Sequence, residues 1–229
     1  MKIVYRLVLI VFIALSFYSC KKDSNNQQPD AVTQTYHNVL ILGNSITYAT
    51  ADGNLGWKGN WGMAASAPEK DYVHLLTKSL QTLAADCKVQ AFNISPFEFD
   101  YKNYNLDNLQ TYRDLKPDLL ILRIGENVQP TNFDAVAFEQ KYTALLSYFK
   151  STNPNLKILA VSSFWTGRDY VDQIMAKYPP YLSLAYLGTD LSNYALDMPN
   201  VDYAVQTHPG DKGMQAIADA IYKKATTIK

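Results

Sequence analysis

Val39-Leu40-Ile41-Leu42 is an unbroken apolar run that stops at Gly43-Asn44-Ser45, and nothing else in the chain restricts its fold so tightly. Apolar residues without polar alternation describe a strand buried on both faces, as in a parallel sheet covered by helices. Open α/β sheets present ligand-handling residues at the carboxyl ends of their strands, which is where Ser45 falls, with Gly43 giving the backbone room for a sharp exit. Ser45 is therefore a candidate nucleophile. Gly-Asn-Ser equally suits a plain turn or a helix cap, so the rest of the chain decides between the two.

The pattern recurs. Strands are predicted over residues 37–42, 88–94, 118–124, 156–162 and 182–187, the third running into Gly125-Glu126-Asn127 and the fourth into Ser163-Phe164-Trp165. Between them, helical spacing of apolar residues predicts helices over about 68–84, 105–115, 133–151 and 170–177, with a last helix ending near 227. Pro117 and Pro179-Pro180 punctuate the series. Residues 48–67 form a loop rich in Gly, Asn and Trp, long enough to be functional. This alternation implies an α/β fold: a three-layer, doubly wound, flavodoxin-like parallel five-stranded sheet with helices on both faces.

The 229 residues suit one domain. Lys2 and Arg6 precede an apolar run over residues 7–17 that is too short to span a bilayer comfortably, followed by Cys20. Residues 1–19 are expected to be an export signal, 20–35 a flexible polar tether, and 36–229 the folded domain. The formal charge is zero, so no bulk field recruits nucleic acid or an anionic surface. Once the leader is removed Cys87 is the only thiol besides Cys20, and it reads as structural. Seventeen tyrosines and three tryptophans suit a protein that handles sugars, although tyrosine also packs ordinary cores.

Ser45, Asn127 and His208 lie in polar clusters after apolar strands or before the last helix. A serine hydroxyl needs a base to take its proton, and imidazole is the usual one near neutral pH. A side-chain amide can donate to the oxyanion of a tetrahedral intermediate beside backbone N–H groups. His74, within the helix over 68–84, reads as a packing or surface residue.

These residues resemble the SGNH/GDSL hydrolases. The first block of that family appears as Gly43-Asn44-Ser45-Ile46-Thr47, its third as Gly125-Glu126-Asn127, and its last in His208-Pro209-Gly210-Asp211-Lys212-Gly213-Met214, in matching order across about residues 36–228. The leader resembles a bacterial lipoprotein signal, which implies lipidation of Cys20 and an extracytoplasmic protein anchored to a membrane, the outer membrane foremost, in the periplasm or at the surface. The resemblance implies Ser45 and His208 as catalytic pair, with an oxyanion hole from the N–H of Ser45, the N–H at Glu98 and the amide of Asn127. Two departures stand out. The family's last block is usually Asp-x-x-His, and the third residue before His208 is Val205; either a backbone carbonyl holds the histidine of a dyad, or Asp202, Glu126 or Asp211 substitutes. Glu98 stands where the family has a glycine, counting from Asn93.

Asn44, Trp57, Trp61 and Trp165 are candidate substrate contacts, tryptophan faces on loops being suited to sugar rings. Three scattered histidines give no metal spacing, and no phosphate-cradling or dinucleotide-binding glycine motif is present, so neither a metal nor a cofactor is expected. The reading is an esterase acting on an O-acyl group, acetate foremost, of a carbohydrate or small-molecule ester. The alternatives are a glycan-binding lipoprotein that lost turnover with the aspartate, and a lipase or thioesterase on the same scaffold.

Overall fold

The computed structural model describes residues 33–228. The expected leader, the lipidation site Cys20 and nearly all of the expected tether lie outside them. Five strands, β1 (Asn38–Gly43), β2 (Lys88–Asn93), β3 (Leu119–Arg123), β4 (Lys157–Val161) and β5 (Tyr181–Leu182), form one parallel sheet in the order β2-β1-β3-β4-β5. This is the doubly wound arrangement implied by the strand pattern. The order reverses between β1 and β3, and ligands of such sheets bind at that reversal, beyond the carboxyl ends of the strands.

Side chains alternate across a strand, and the two faces feed two cores. Val39, Ile41, Leu119, Ile121, Leu159 and Val161 pack with α1 (Tyr72–Gln81) and α7 (Asp211–Ala225). Leu40, Leu42, Leu120, Leu122, Ile158 and Ala160 pack with α4 (Ala135–Lys150) and α5 (Asp169–Met175). Burial on both faces is why the strand sequences contain almost no polar residue.

The fifth strand is shorter than the predicted 182–187. It ends at Leu182 because Ser162 Oγ, rather than a backbone carbonyl of β4, accepts from the Leu184 N–H at 2.6 Å, and Leu184 and Leu187 turn into the core beneath α7. The helix expected over 105–115 is a 3-10 turn (Leu106–Leu109) followed by α3 (Gln110–Arg113). Two short helices were not anticipated. In α2 (Ser95–Phe99) Pro96 lies in the first turn, where its fixed φ suits a helix. In α6 (Tyr203–Gln206) Asp202 caps the start by accepting from the Ala204 N–H at 2.8 Å.

The long loop after β1 is fastened rather than free. Bridges join Ala49 to Trp61 and Asp52 to Trp57, and buried Asp71 accepts from Gly62 N (3.0 Å) while capping α1 through His74 N (2.8 Å). Among the described residues no helix is long and apolar enough to cross a membrane. Cys87 is free and buried.

Gly43 ends β1 where no side chain fits: a Cβ there would lie 2.0 Å from Thr47 Oγ1 and 2.9 Å from the Arg123 carbonyl oxygen. Gly43→Ala is accordingly expected to lower stability in urea unfolding by about 1 to 3 kcal/mol, the usual cost of overpacking, because the backbone carbonyl cannot move without disturbing β3.

Candidate active site

The turn after β1 brings Ser45 out at the sheet's reversal point, and the loop between α6 and α7 brings in His208 from 163 residues away. Ser45 Oγ lies 2.8 Å from His208 Nε2. On the other side of the ring, Nδ1 lies 2.8 Å from the carbonyl oxygen of Ala204. A carbonyl can only accept, so Nδ1 carries the ring proton and Nε2 is left bare toward the hydroxyl. This is the tautomer that a general base requires.

The histidine is 6% exposed. Burial pushes its pKa down to about 4, against a smaller upward pull from the Ala204 carbonyl. It is thus neutral through the physiological range; no carboxylate hydrogen-bonds the ring, and Glu126 favours the imidazolium form only through space. The three acids considered as substitutes are engaged elsewhere. Asp202 caps α6, Asp211 binds Ser66 through its N–H (2.8 Å) and hydroxyl (2.7 Å), and Glu126 pairs with Arg123. Val205, at the position of the family's aspartate, is buried in a loop core with Trp57, Met63, Ala64 and Ala195. The turn of α6 has put a backbone carbonyl where that aspartate's oxygen would be needed.

Beneath Ser45 lies a buried polar network. Arg123, the one charged residue facing inward on β3, is fully buried; its Nη2 donates to Glu126 Oε1, and its Nη1 donates to Asn44 Oδ1 at 3.1 Å. Asn44 Nδ2 donates to Glu126 Oε2 (2.6 Å) and to Glu98 Oε1 (3.2 Å). Glu126 also accepts from Phe164 N at 2.8 Å, and the Arg123 guanidinium stands 5.8 Å from the Tyr72 ring. Glu98 accepts further from the Gly125 N–H and from Asn127 Nδ2 at 2.8 Å. Burial and the adjacent Glu126 push its pKa up to about 7, opposed by these three donated hydrogen bonds.

These contacts correct several expectations. Asn44 is fully buried and is a structural bridge, so it does not reach substrate. Trp57, 4% exposed, belongs to the loop core and packs edge-on against Trp61. Trp61 is partly buried, with its Nε1 donating to Ala65 O at 2.9 Å. Trp165 is half-buried beside the histidine, ring centroids 5.2 Å apart, its Nε1 donating to Thr207 O at 2.8 Å. Glu98 is the fourth residue of α2, and beyond its N–H the structure adds a feature the sequence left open: its buried carboxylate faces Gly125 and Asn127. His74 is half-exposed on α1 and bonds Asp71. Among the described residues no group of three or more His, Cys, Asp or Glu side chains could hold a metal ion.

The functional part played by Arg123 was missed in the sequence. A lone arginine in a doubly buried strand, three residues before a glutamate, is the signal that would have found it, because such a charge needs a buried partner.

Solved structures with the same architecture carry acyl-transfer and ester-cleaving enzymes. A salicylyl-acyltransferase, SsfX3, from a tetracycline biosynthetic pathway superposes with a TM-score of 0.56 at 20% identity over 84% of this chain and 55% of its own. A two-domain esterase, CEX, active on acetylated mannans gives 0.56 at 17% identity over 84% and 50%. LAE5, an α/β hydrolase enzyme from the metagenome of Lake Arreo, Spain, gives 0.52 at 17% over 87% and 99%. The likeness is one of fold: the same layered α/β architecture around a parallel sheet. The chain spans about half the length of the first two relatives and nearly all of the third. No protein-family model and no curated protein matches the sequence.

Within this fold the Arg123–Glu126 pair is sealed from water, so removing one member strands the other. Arg123→Met is expected to cost about 3 to 5 kcal/mol in urea unfolding, and the double variant Arg123→Met/Glu126→Gln less than the sum of the single changes. Val205→Asp, which supplies the acid of an Asp-x-x-His block, is expected to destabilise by about 2 kcal/mol or more in urea unfolding, since residue 205 is buried among Trp57, Met63 and Ala195.

Proposed function

We propose that this chain is a serine esterase that hydrolyses an O-acyl group, foremost acetate, from a carbohydrate or small-molecule ester, with Ser45 and His208 as its catalytic residues. The observation that carries this reading is the hydrogen-bonded Ser45–His208 pair with its tautomer fixed by Ala204. The fold's occurrence in an esterase active on acetylated mannans supports the choice of substrate class.

As Ser45 Oγ attacks the ester carbonyl carbon, its proton passes to His208 Nε2 and the carbonyl electron pair moves onto oxygen. The oxyanion is met by the Ser45 N–H and by the Asn127 amide hydrogen that is not given to Glu98. Collapse restores the carbonyl and expels the alcohol, which takes the proton from Nε2. Water, deprotonated by the same nitrogen, then releases the acid and frees the serine. Ala204 does the orienting part of a triad aspartate's work but adds no full charge, so turnover is slower than in a charged triad. Trp165, beside the imidazole, is the tryptophan best placed to touch a sugar ring. In this reading residues 1–19 direct export, and a lipid on Cys20 tethers the enzyme to the membrane.

A binding role without turnover is the second reading. It is favoured by one observation, the missing carboxylate behind a histidine whose basicity burial has lowered. Ser45→Ala and His208→Ala should each reduce hydrolysis of a chromogenic acetyl ester at least about a thousandfold, with a fluorophosphonate labelling Ser45 only in the presence of the histidine. Hydrolysis that survives Ser45→Ala would sink the esterase reading, and oligosaccharide binding with no hydrolysis in wild type would establish the second.

A further inference from the structure

Glu98 is a buried acid at a place where the SGNH/GDSL resemblance leads one to expect glycine, and its contacts give it a task. Oε1 accepts from the Gly125 N–H and from Asn44 Nδ2, while Oε2 accepts from Asn127 Nδ2 at 2.8 Å. Both carboxyl oxygens therefore face donors, and neither faces an acceptor that could receive an O–H. Asn127 and Gly125 belong to the turn after β3, at the sheet's reversal point beside the turn that carries Ser45. An ionised carboxylate can only accept. Glu98 thus dictates which end of the Asn127 amide points toward α2, and so where its second N–H lies.

On the reading of this chain as a Ser45 esterase, we infer that Glu98 is a positioning residue: its carboxylate holds the Asn127 amide and the Gly125 turn in the geometry that receives the oxyanion, and ester cleavage requires this buried carboxyl to be ionised. The negative charge absent from behind the histidine stands instead behind the oxyanion donor. A proton on Oε2 would set O–H against N–H, and the amide would turn its oxygen to Glu98, withdrawing the donor from the reacting carbonyl.

The charged surroundings of Glu98 bear on when that proton arrives. Glu126 and Arg123 adjoin it through Asn44, and Asp172 of α5 and His208 lie in the field of Glu126. Asp100 and Lys102 line, with Glu98, a cavity of about 240 Å³ at the outer side of α2. Burial, and after it the like charge of Glu126, push the Glu98 ionisation up to about 7, whereas His208 is neutral above about 4. Histidine alone would put the acid limb of kcat/KM near 4; an ionised Glu98 requirement puts it near 7.

The test is the pH profile of kcat/KM on an acetyl ester for wild type and Glu98→Gln, with the side-chain amide resonance of Asn127 followed by NMR in the ligand-free protein. Wild type is expected to lose about a hundredfold between its plateau and pH 5, each unit below the ionisation being tenfold, and its Asn127 amide to titrate with the same midpoint. Glu98→Gln is expected to have a plateau at least tenfold lower, an acid limb moved toward 4, and an Asn127 resonance flat across that range. A residue that merely supported the fold would lower the plateau without moving the limb. If Glu98→Gln does not fold, coincidence of the wild-type limb with the Asn127 titration supports the inference, and an amide insensitive to pH between 5 and 9 overturns it. Coincident limbs in wild type and variant overturn it while leaving the esterase reading intact. No hydrolysis by wild type at any pH, with no fluorophosphonate on Ser45, overturns the esterase reading and this inference together.

Discussion

The site rests on one buried ion pair, Arg123 with Glu126, held at the point where the sheet reverses direction. Taking two charges out of water is costly, and their mutual attraction offsets that cost only when the remaining donors and acceptors are also satisfied. Asn44, the Phe164 N–H and the Tyr72 ring meet most of those needs around the pair. Because Asn44 immediately precedes Ser45, a network that satisfies the charges also fixes the turn bearing the hydroxyl. The fold and the site are stabilised by the same hydrogen bonds.

A histidine without an acid partner is a smaller departure than its sequence makes it look. The aspartate of a triad does two things: it selects the ring tautomer and it stabilises imidazolium. The Ala204 carbonyl does the first completely, because it has no proton to give, and does the second only with a partial charge. The additional buried carboxylate of this chain, Glu98, lies elsewhere: it accepts from the amide of Asn127 and so fixes the orientation of that amide.

Much of the architecture was legible in advance. The runs at Val39–Leu42 and Leu119–Leu122 read as doubly buried strands because four consecutive apolar residues between turn signals are too short for a helix and show no polar alternation. The fifth strand was overread because Leu182, Leu184 and Leu187 carry the same hydrophobic signal whether they extend a ladder or drop into a helix-covered core. The short helices α2 and α6 escaped notice because four or five residues give no periodicity to detect; their formation depends on Pro96 and Asp202 acting within the folded body. Among the candidate contacts, Trp57 and Asn44 were misplaced for a related reason, as composition says that a residue lies on a loop near the site but not whether it faces outward.

By itself, the sequence determined the strand order of hydrophobic runs, the parallel α/β layering, and the presence of a hydroxyl, an amide and an imidazole at chain positions that such layering brings together. These are properties of local pattern and of connection handedness, which are written residue by residue. Only the tertiary structure decided that Ala204 rather than a side chain holds His208, that Val205 is core, and that Glu98 turns its carboxylate to Gly125 and Asn127. Those outcomes turn on the direction of single bonds at the ends of short helices, where a rotation of one residue exchanges a buried face for the site, and no pattern along the chain records that rotation.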